Sequence, residues 1–131
     1  MATSASDRDL EYDNAAAIAD AADYPDLWAD TAFDWRSVEA AIGRARLNES
    51  YGPDPRHKLD LFLPAGRPEG LVVFVHGGWW QRFDRTDWSH LAAGLAARGW
   101  AVAIPSYPLA PEVRIHAIAR CIARAIETAA A

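Results

Sequence analysis

Apolar and polar residues change rhythm part-way along this chain. After six small polar residues, expected to fray, residues 7–22 (DRDLEYDNAAAIADAA) scatter Leu10, Tyr12 and Ile18 among alanines and acids, which predicts a helix. Pro25 suits the first position of a helix and predicts a short turn through Leu27 and Trp28. A further start signal at Asp34 or Ser37 precedes VEAAIGRARLN, where Val38, Ile42 and Leu47 recur near helical spacing. Tyr51-Gly52-Pro53-Asp54-Pro55 closes this part, because two prolines and a glycine favour turns.

Beyond it the period shifts from helix to strand. His57 to Leu63 alternates Leu59, Leu61 and Leu63 against Lys58, Asp60 and Phe62, the pattern of a half-buried strand. Leu71 to Val75 (LVVFV) is wholly apolar, as expected of a strand covered on both faces within a parallel sheet. Thr86 or Asp87 can cap a helix through Leu91, Leu95 and Arg98, stopped at Gly99. WAVAI (Trp100–Ile104) reads as the next strand, ended by Pro105. Val113 to Glu127 reads as a final helix with Val113, Ile115, Ile118, Ile122 and Ile126 mostly on one stripe. The order strand, strand, helix, strand, helix predicts an α/β protein, with residues 1–55 an acidic helical segment and 56–131 the α/β part.

Charge sharpens that division. Residues 1–34 carry a net of −8 and the remaining 97 a net of +3, so neither part offers the basic, aromatic-interleaved face that nucleic acid needs. No apolar run approaches the roughly 18–20 residues of a membrane span, and the first residues lack the basic and apolar regions of a secretory signal. One cysteine, Cys121, leaves no internal disulfide and fits a reducing, cytoplasmic setting.

The chemistry sits directly after the apolar strand, in His76-Gly77-Gly78-Trp79-Trp80. Glycines at the C-terminal end of a central strand let backbone N–H groups point into a cleft. Two such donors are what acyl transfer requires to hold the oxyanion of a tetrahedral intermediate, each donor being worth about 3–4 kcal/mol of barrier in the best-studied case. Tyr107-Pro108-Leu109-Ala110-Pro111-Glu112 follows the next strand.

HGGWW together with this Y-x-LAPE stretch resembles the α/β-hydrolase superfamily, in its kynurenine formamidase (arylformamidase) and esterase/lipase branch. Glu11-Tyr12-Asp13-Asn14 and the pair Tyr51-Gly52 and Leu59-Asp60-Leu61-Phe62 are also similar to that branch. The resemblance implies the N-terminal portion of a mainly parallel sheet flanked by helices, with Gly77, Gly78 and Trp79 as oxyanion-hole backbone and Trp79 and Trp80 as substrate-binding residues. It implies no cofactor and no metal. Trp79 stands where formamidase-like members often carry Tyr.

None of the six serines stands in the G-x-S-x-G turn that carries the nucleophile of this fold, and the acid and base follow that turn in chain order. The expectation is a chain truncated before the nucleophile strand and inactive alone, its full-length parent acting on a small ester or amide. The alternative is a non-catalytic remnant or one half of a complementing pair, self-associating or joining a C-terminal half through the 71–75 strand edge.

Other candidates read more plainly. His76 is expected to brace the loop, since the family's base lies far downstream. Asp87 and His90 share a metal-like i, i+3 spacing but read as a solvated helix face. Cys121 reads as a small buried hydrophobe, and Pro111 and Glu112 as a helix start. The acidic N-terminal segment reads either as a lid or as a solvated helix.

Overall fold

A four-stranded sheet organises the protein, in the order β1-β2-β4-β3. The computed structural model describes residues 5–131; residues 1–4 of the segment expected to fray lie outside them. The elements are α1 (Ala5–Glu11), α2 (Tyr24–Ala41), β1 (Ala45–Ser50), β2 (Lys58–Phe62), β3 (Leu71–Val73), α3 (Ala93–Ala96), β4 (Ala101–Pro105) and α4 (Ile115–Ala130). β1 and β4 pair antiparallel with β2, and β3 pairs parallel with β4. The parallel character thus rests on β3 and β4, the two strands joined by the crossover that carries the glycine loop. Among the described residues β3 has β4 as its one partner strand.

Side-chain alternation sorts the core into two layers. Leu59, Leu61, Ala101 and Ala103 face Cys121 and Ala125 of α4, with Tyr51 closing that layer. Phe62, Val102 and Ile104 face the opposite way, against Ala92, Trp35 of α2 and Leu95 of α3. β2 is therefore covered on both faces, not half-buried. Its polar member, Asp60, is fully buried. That is tolerated because the carboxylate is saturated with donors. Oδ2 accepts from Arg36 Nε at 2.8 Å, and Oδ1 from the Asn48 N–H at 2.8 Å and Arg85 Nε at 3.1 Å. The register of β1 against β2 slips between Arg46 and Glu49, and Asn48 takes a φ of +61°. This bulge turns the Asn48 N–H onto the carboxylate and its side-chain oxygen onto Arg85.

Several expected boundaries move. The helix over 7–22 is divided: α1 stops at Glu11, and Asp13 caps a 3-10 turn over Asn14–Ala17 by accepting from the Ala16 N–H. Aspartate and asparagine side chains compete for backbone groups and so end helices. The short turn at Pro25 and the second helix are one element, α2, with Pro25 in its first turn. Asp34 and Ser37 lie on its exposed face and start nothing. α2 stops sooner than expected, at Gly43 with φ +73°, and Leu47 belongs to a strand. The sheet therefore takes in residues on both sides of position 55.

The helix over 86–98 is two 3-10 turns, Arg85–Asp87 and Ser89–Ala92, and the single turn α3. Its cap is Asp84, which accepts from the Thr86 N–H while Asp87 reaches back to the Asp84 N–H. α4 buries Ile118, Cys121 and Ala125, while Ile115 and Ile126 of the expected stripe are exposed. Among the described residues no helix is long and apolar enough to cross a membrane.

Removing the Asp60 carboxylate leaves the Arg36 guanidinium without its ion-pair partner and Arg85 with Asp84 alone. Asp60→Ala is expected to cost about 3–5 kcal/mol of unfolding free energy, read from the urea midpoint. Arg36→Ala, at the more open end of the network, is expected to cost less.

Candidate active-site loop

β3 delivers the chain into the glycine loop at its C-terminal end, where Phe74 still donates to Ala103 O at 2.9 Å and Val75 leaves the sheet. His76 then turns inward and is buried. Its Nδ1 lies 2.8 Å from Gly77 O, an acceptor only, so Nδ1 carries the proton and Nε2 the lone pair. Burial pushes the His76 pKa below its usual value. With Nε2 itself buried, the ring braces the loop and is not presented to the cleft as a base.

The loop then passes through three consecutive left-handed residues, Gly78, Trp79 and Trp80, with φ of +112°, +54° and +58°. Gly78 has no room for a side chain: a Cβ there would meet Arg82 O at 2.5 Å. Four of the five carbonyls of the loop, those of His76, Gly77, Gly78 and Trp80, are engaged. His76 O accepts from the Tyr107 hydroxyl at 2.7 Å, Gly78 O from the N–H groups of Gln81 and Arg82, and Trp80 O from the Ala110 N–H. Among the described residues, the N–H groups of Gly77, Gly78 and Trp79 donate no hydrogen bond.

Three arginines hold the surroundings. Arg56, from the turn between β1 and β2, donates to Tyr107 O and Phe83 O, each at 2.7 Å, and pairs with Asp84 at 3.2 Å. Arg85 joins Asp84, Ser106 and Asp60, and Arg36 ties α2 into the same carboxylate. Burial pulls the Asp84 pKa up, but the Arg85 guanidinium and the Ser106 and Thr86 hydrogen bonds outweigh it and hold the carboxyl below its usual range. None of these side chains was singled out in the sequence. Arginines bonded to distant main-chain carbonyls leave no periodic signature.

The loop faces an open cleft of about 1240 Å³. Gly77, Gly78, Trp79 and Phe83 line it together with residues between Tyr12 and Trp28, Tyr24 and Trp28 among them. Trp79 lies on the cleft and is 78% exposed; Trp80 is directed elsewhere, half-exposed. Residues between Tyr12 and Trp28 of the acidic N-terminal segment thus share this cleft with the glycine loop. Asp87 serves as a cap, and among the described residues no group of three or more His, Cys, Asp or Glu gathers as a metal site. Cys121 is buried beside His57, whose Nε2 lies 3.3 Å from Sγ. Because the Asp54 N–H donates to His57 Nδ1, the imidazole proton is on Nε2 and points to sulfur.

A protein of solved structure from Silicibacter sp., assigned as a thioesterase, is 57% identical and superposes with a TM-score of 0.86 over 91% of this chain and 45% of its own. The fold is that of an α/β-hydrolase. Esterase B from Lactobacillus rhamnosis is more distant, 25% identical with a TM-score of 0.58 over 80% of this chain and 39% of its own. Among curated proteins, the kynurenine formamidase of Salmo salar is 29% identical over 93 residues, covering 68% of this chain and 32% of that protein. That of Danio rerio is 30% identical over 74 residues, 55% of this chain and 25% of that protein. This chain therefore spans about a quarter to a third of the length of these two curated relatives. No protein-family model matches it.

Two outcomes follow from this geometry. Gly78→Ala adds a Cβ into Arg82 O at a φ that only glycine adopts freely, and is expected to destabilise by about 1–3 kcal/mol in chemical denaturation. Burial lowers the pKa of His57, His76 and His90. The unfolded chain therefore binds protons that the folded chain refuses as pH falls below about 6.5. Stability is expected to be full at pH 7.5 and lower at pH 5.5, seen as a fall in the urea midpoint, with part of that dependence abolished in His76→Gln.

Proposed function

We propose that this chain supplies the oxyanion-binding loop of a serine hydrolase acting on a small carboxylic ester or aryl-formamide, with Gly77, Gly78 and Trp79 donating their N–H groups. The observation that carries the reading is the state of the loop. The carbonyls of His76, Gly77 and Gly78 are bonded away into the protein, and the N–H groups of Gly77, Gly78 and Trp79 are unused beside a cleft at the end of β3. Catalysis of acyl transfer depends on donors aimed where negative charge develops, held there before the reaction begins. The likeness to kynurenine formamidases and to esterases supports the same reaction class. Trp79, on the cleft wall, is the substrate-binding residue of the pair; Trp80 contributes through its carbonyl.

In this reading Ser, Asp or Glu, and His come from residues outside these 131, because no serine here stands in G-x-S-x-G. Ser89 and Ser106 are both buried and bonded to Arg85, and neither is a nucleophile. The open edge of β3 is where that remaining part would add its strand, whether in the same chain or as a separate half. The single free cysteine fits a reducing, cytoplasmic setting.

The test is a fusion. This chain is joined to the portion of the 57% identical Silicibacter protein that it does not cover, and assayed with p-nitrophenyl acetate and N-formylkynurenine. The fusion is expected to hydrolyse at least one of them, and this chain alone neither. A fusion that melts cooperatively yet hydrolyses neither overturns the proposal.

A further inference from the structure

Resting on the oxyanion reading, we infer that Tyr107 is a positioning residue that aims the Gly77 N–H into the cleft. A planar trans peptide points its carbonyl and its N–H in opposite directions. The cis bond among the described residues is Ala110–Pro111, so the peptide linking His76 to Gly77 is trans. Its carbonyl is fixed by the Tyr107 hydroxyl at 2.7 Å, donated from a side chain that is 1% exposed. With the carbonyl held inward, the N–H of Gly77 must face outward.

The next two peptides follow the same logic from within the loop. His76 Nδ1 fixes Gly77 O and so turns the Gly78 N–H, while the Gln81 and Arg82 N–H groups fix Gly78 O and so turn that of Trp79. Side-chain packing at Gly77 does not hold the first peptide. A Cβ there would meet nothing within 4 Å, so the restraint on its orientation comes from the hydrogen bond to His76 O.

Tyr107 is itself immobilised for this task. Its ring stacks on that of His76, centroids 4.4 Å apart and 9° from parallel. Its carbonyl accepts from Arg56 Nε at 2.7 Å. Three residues later, the Ala110 N–H grips Trp80 O at 2.8 Å. The Y-x-LAPE segment therefore clasps the glycine loop at both ends, and the tyrosine hydroxyl sets its first donor.

Tyr107→Phe removes one oxygen and keeps the stacked ring. In the active fusion, kcat per titrated active site is expected to fall about tenfold or more with KM within about twofold. Affinity for a trifluoromethyl ketone, which forms a tetrahedral adduct, is expected to fall by the same factor. A purely structural role would lower the melting temperature and the fraction of titratable sites but leave kcat per site unchanged, and that result overturns the inference. A second reading needs no turnover and separates this inference from the proposed reaction. In the 15N-labelled 131-residue chain, Tyr107→Phe is expected to shift the Gly77 amide resonance and raise its solvent exchange, with Gly78 and Trp79 less affected. An unmoved Gly77 amide overturns the positioning role even where the fusion is active.

Discussion

The structure depends on one buried carboxylate. Asp60 sits fully enclosed in β2, where an unpaired charge would be prohibitive, and it is stable there because two guanidinium groups and a backbone N–H converge on it. Those donors come from three places: Arg36 on α2, Asn48 on β1 and Arg85 on the crossover after β3. Each must arrive together with its own element, so one ionic centre specifies how helix, edge strand and crossover sit on the sheet. Apolar packing in the two layers supplies the bulk driving force, but leucines and valines tolerate sliding. The charge network, with its fixed donor directions, fixes register.

From that centre, order spreads to the loop in short steps. Arg85 bonds Asp84 and Ser106 as well as Asp60. Asp84 pairs with Arg56, whose remaining donors reach Tyr107 O and Phe83 O on either side of the glycine loop. Between these anchors, the left-handed geometry at Gly78, Trp79 and Trp80 is held by the hydrogen bonds on Gly78 O and Trp80 O. The turns over 85–92 that anchor this network are 3-10 in character, because the chain there is shaped by Asp84, Asp87 and Arg85 more than by helix propensity.

What the sequence reveals divides along the same line. β2, β3, β4 and α4 are legible because their apolar residues form runs or stripes of recognisable period, closed at proline in β2 and β4. The glycine loop is legible because its composition is rare and its place after a wholly apolar strand has a chemical meaning, although β3 is half-buried at the sheet edge and not covered on both faces as its composition predicts. β1 is hidden: its Asn48 and Glu49 read as helix end or loop, and its strand state comes from pairing with β2 and from the bulge onto Asp60. Asp60 looks solvent-facing by alternation and is buried by its partners. The contacts of Arg56 and Tyr107 are hidden for another reason, although Tyr107 opens the Y-x-LAPE stretch. Both residues act on main-chain carbonyls about 20 to 50 positions away, a relation that residue type and spacing do not encode.

The loop is gripped through its carbonyls and not through the side chains at 79 and 80. Trp79 projects from it largely free of the protein. Under the proposed function, chemistry and selectivity fall to separate parts of one five-residue stretch: the backbone holds the donors, and the side chain at 79 meets whatever enters. In that reading a lineage, or an engineer, can exchange that side chain to suit a new acyl or aryl group while the carbonyl contacts that orient the backbone stay in place.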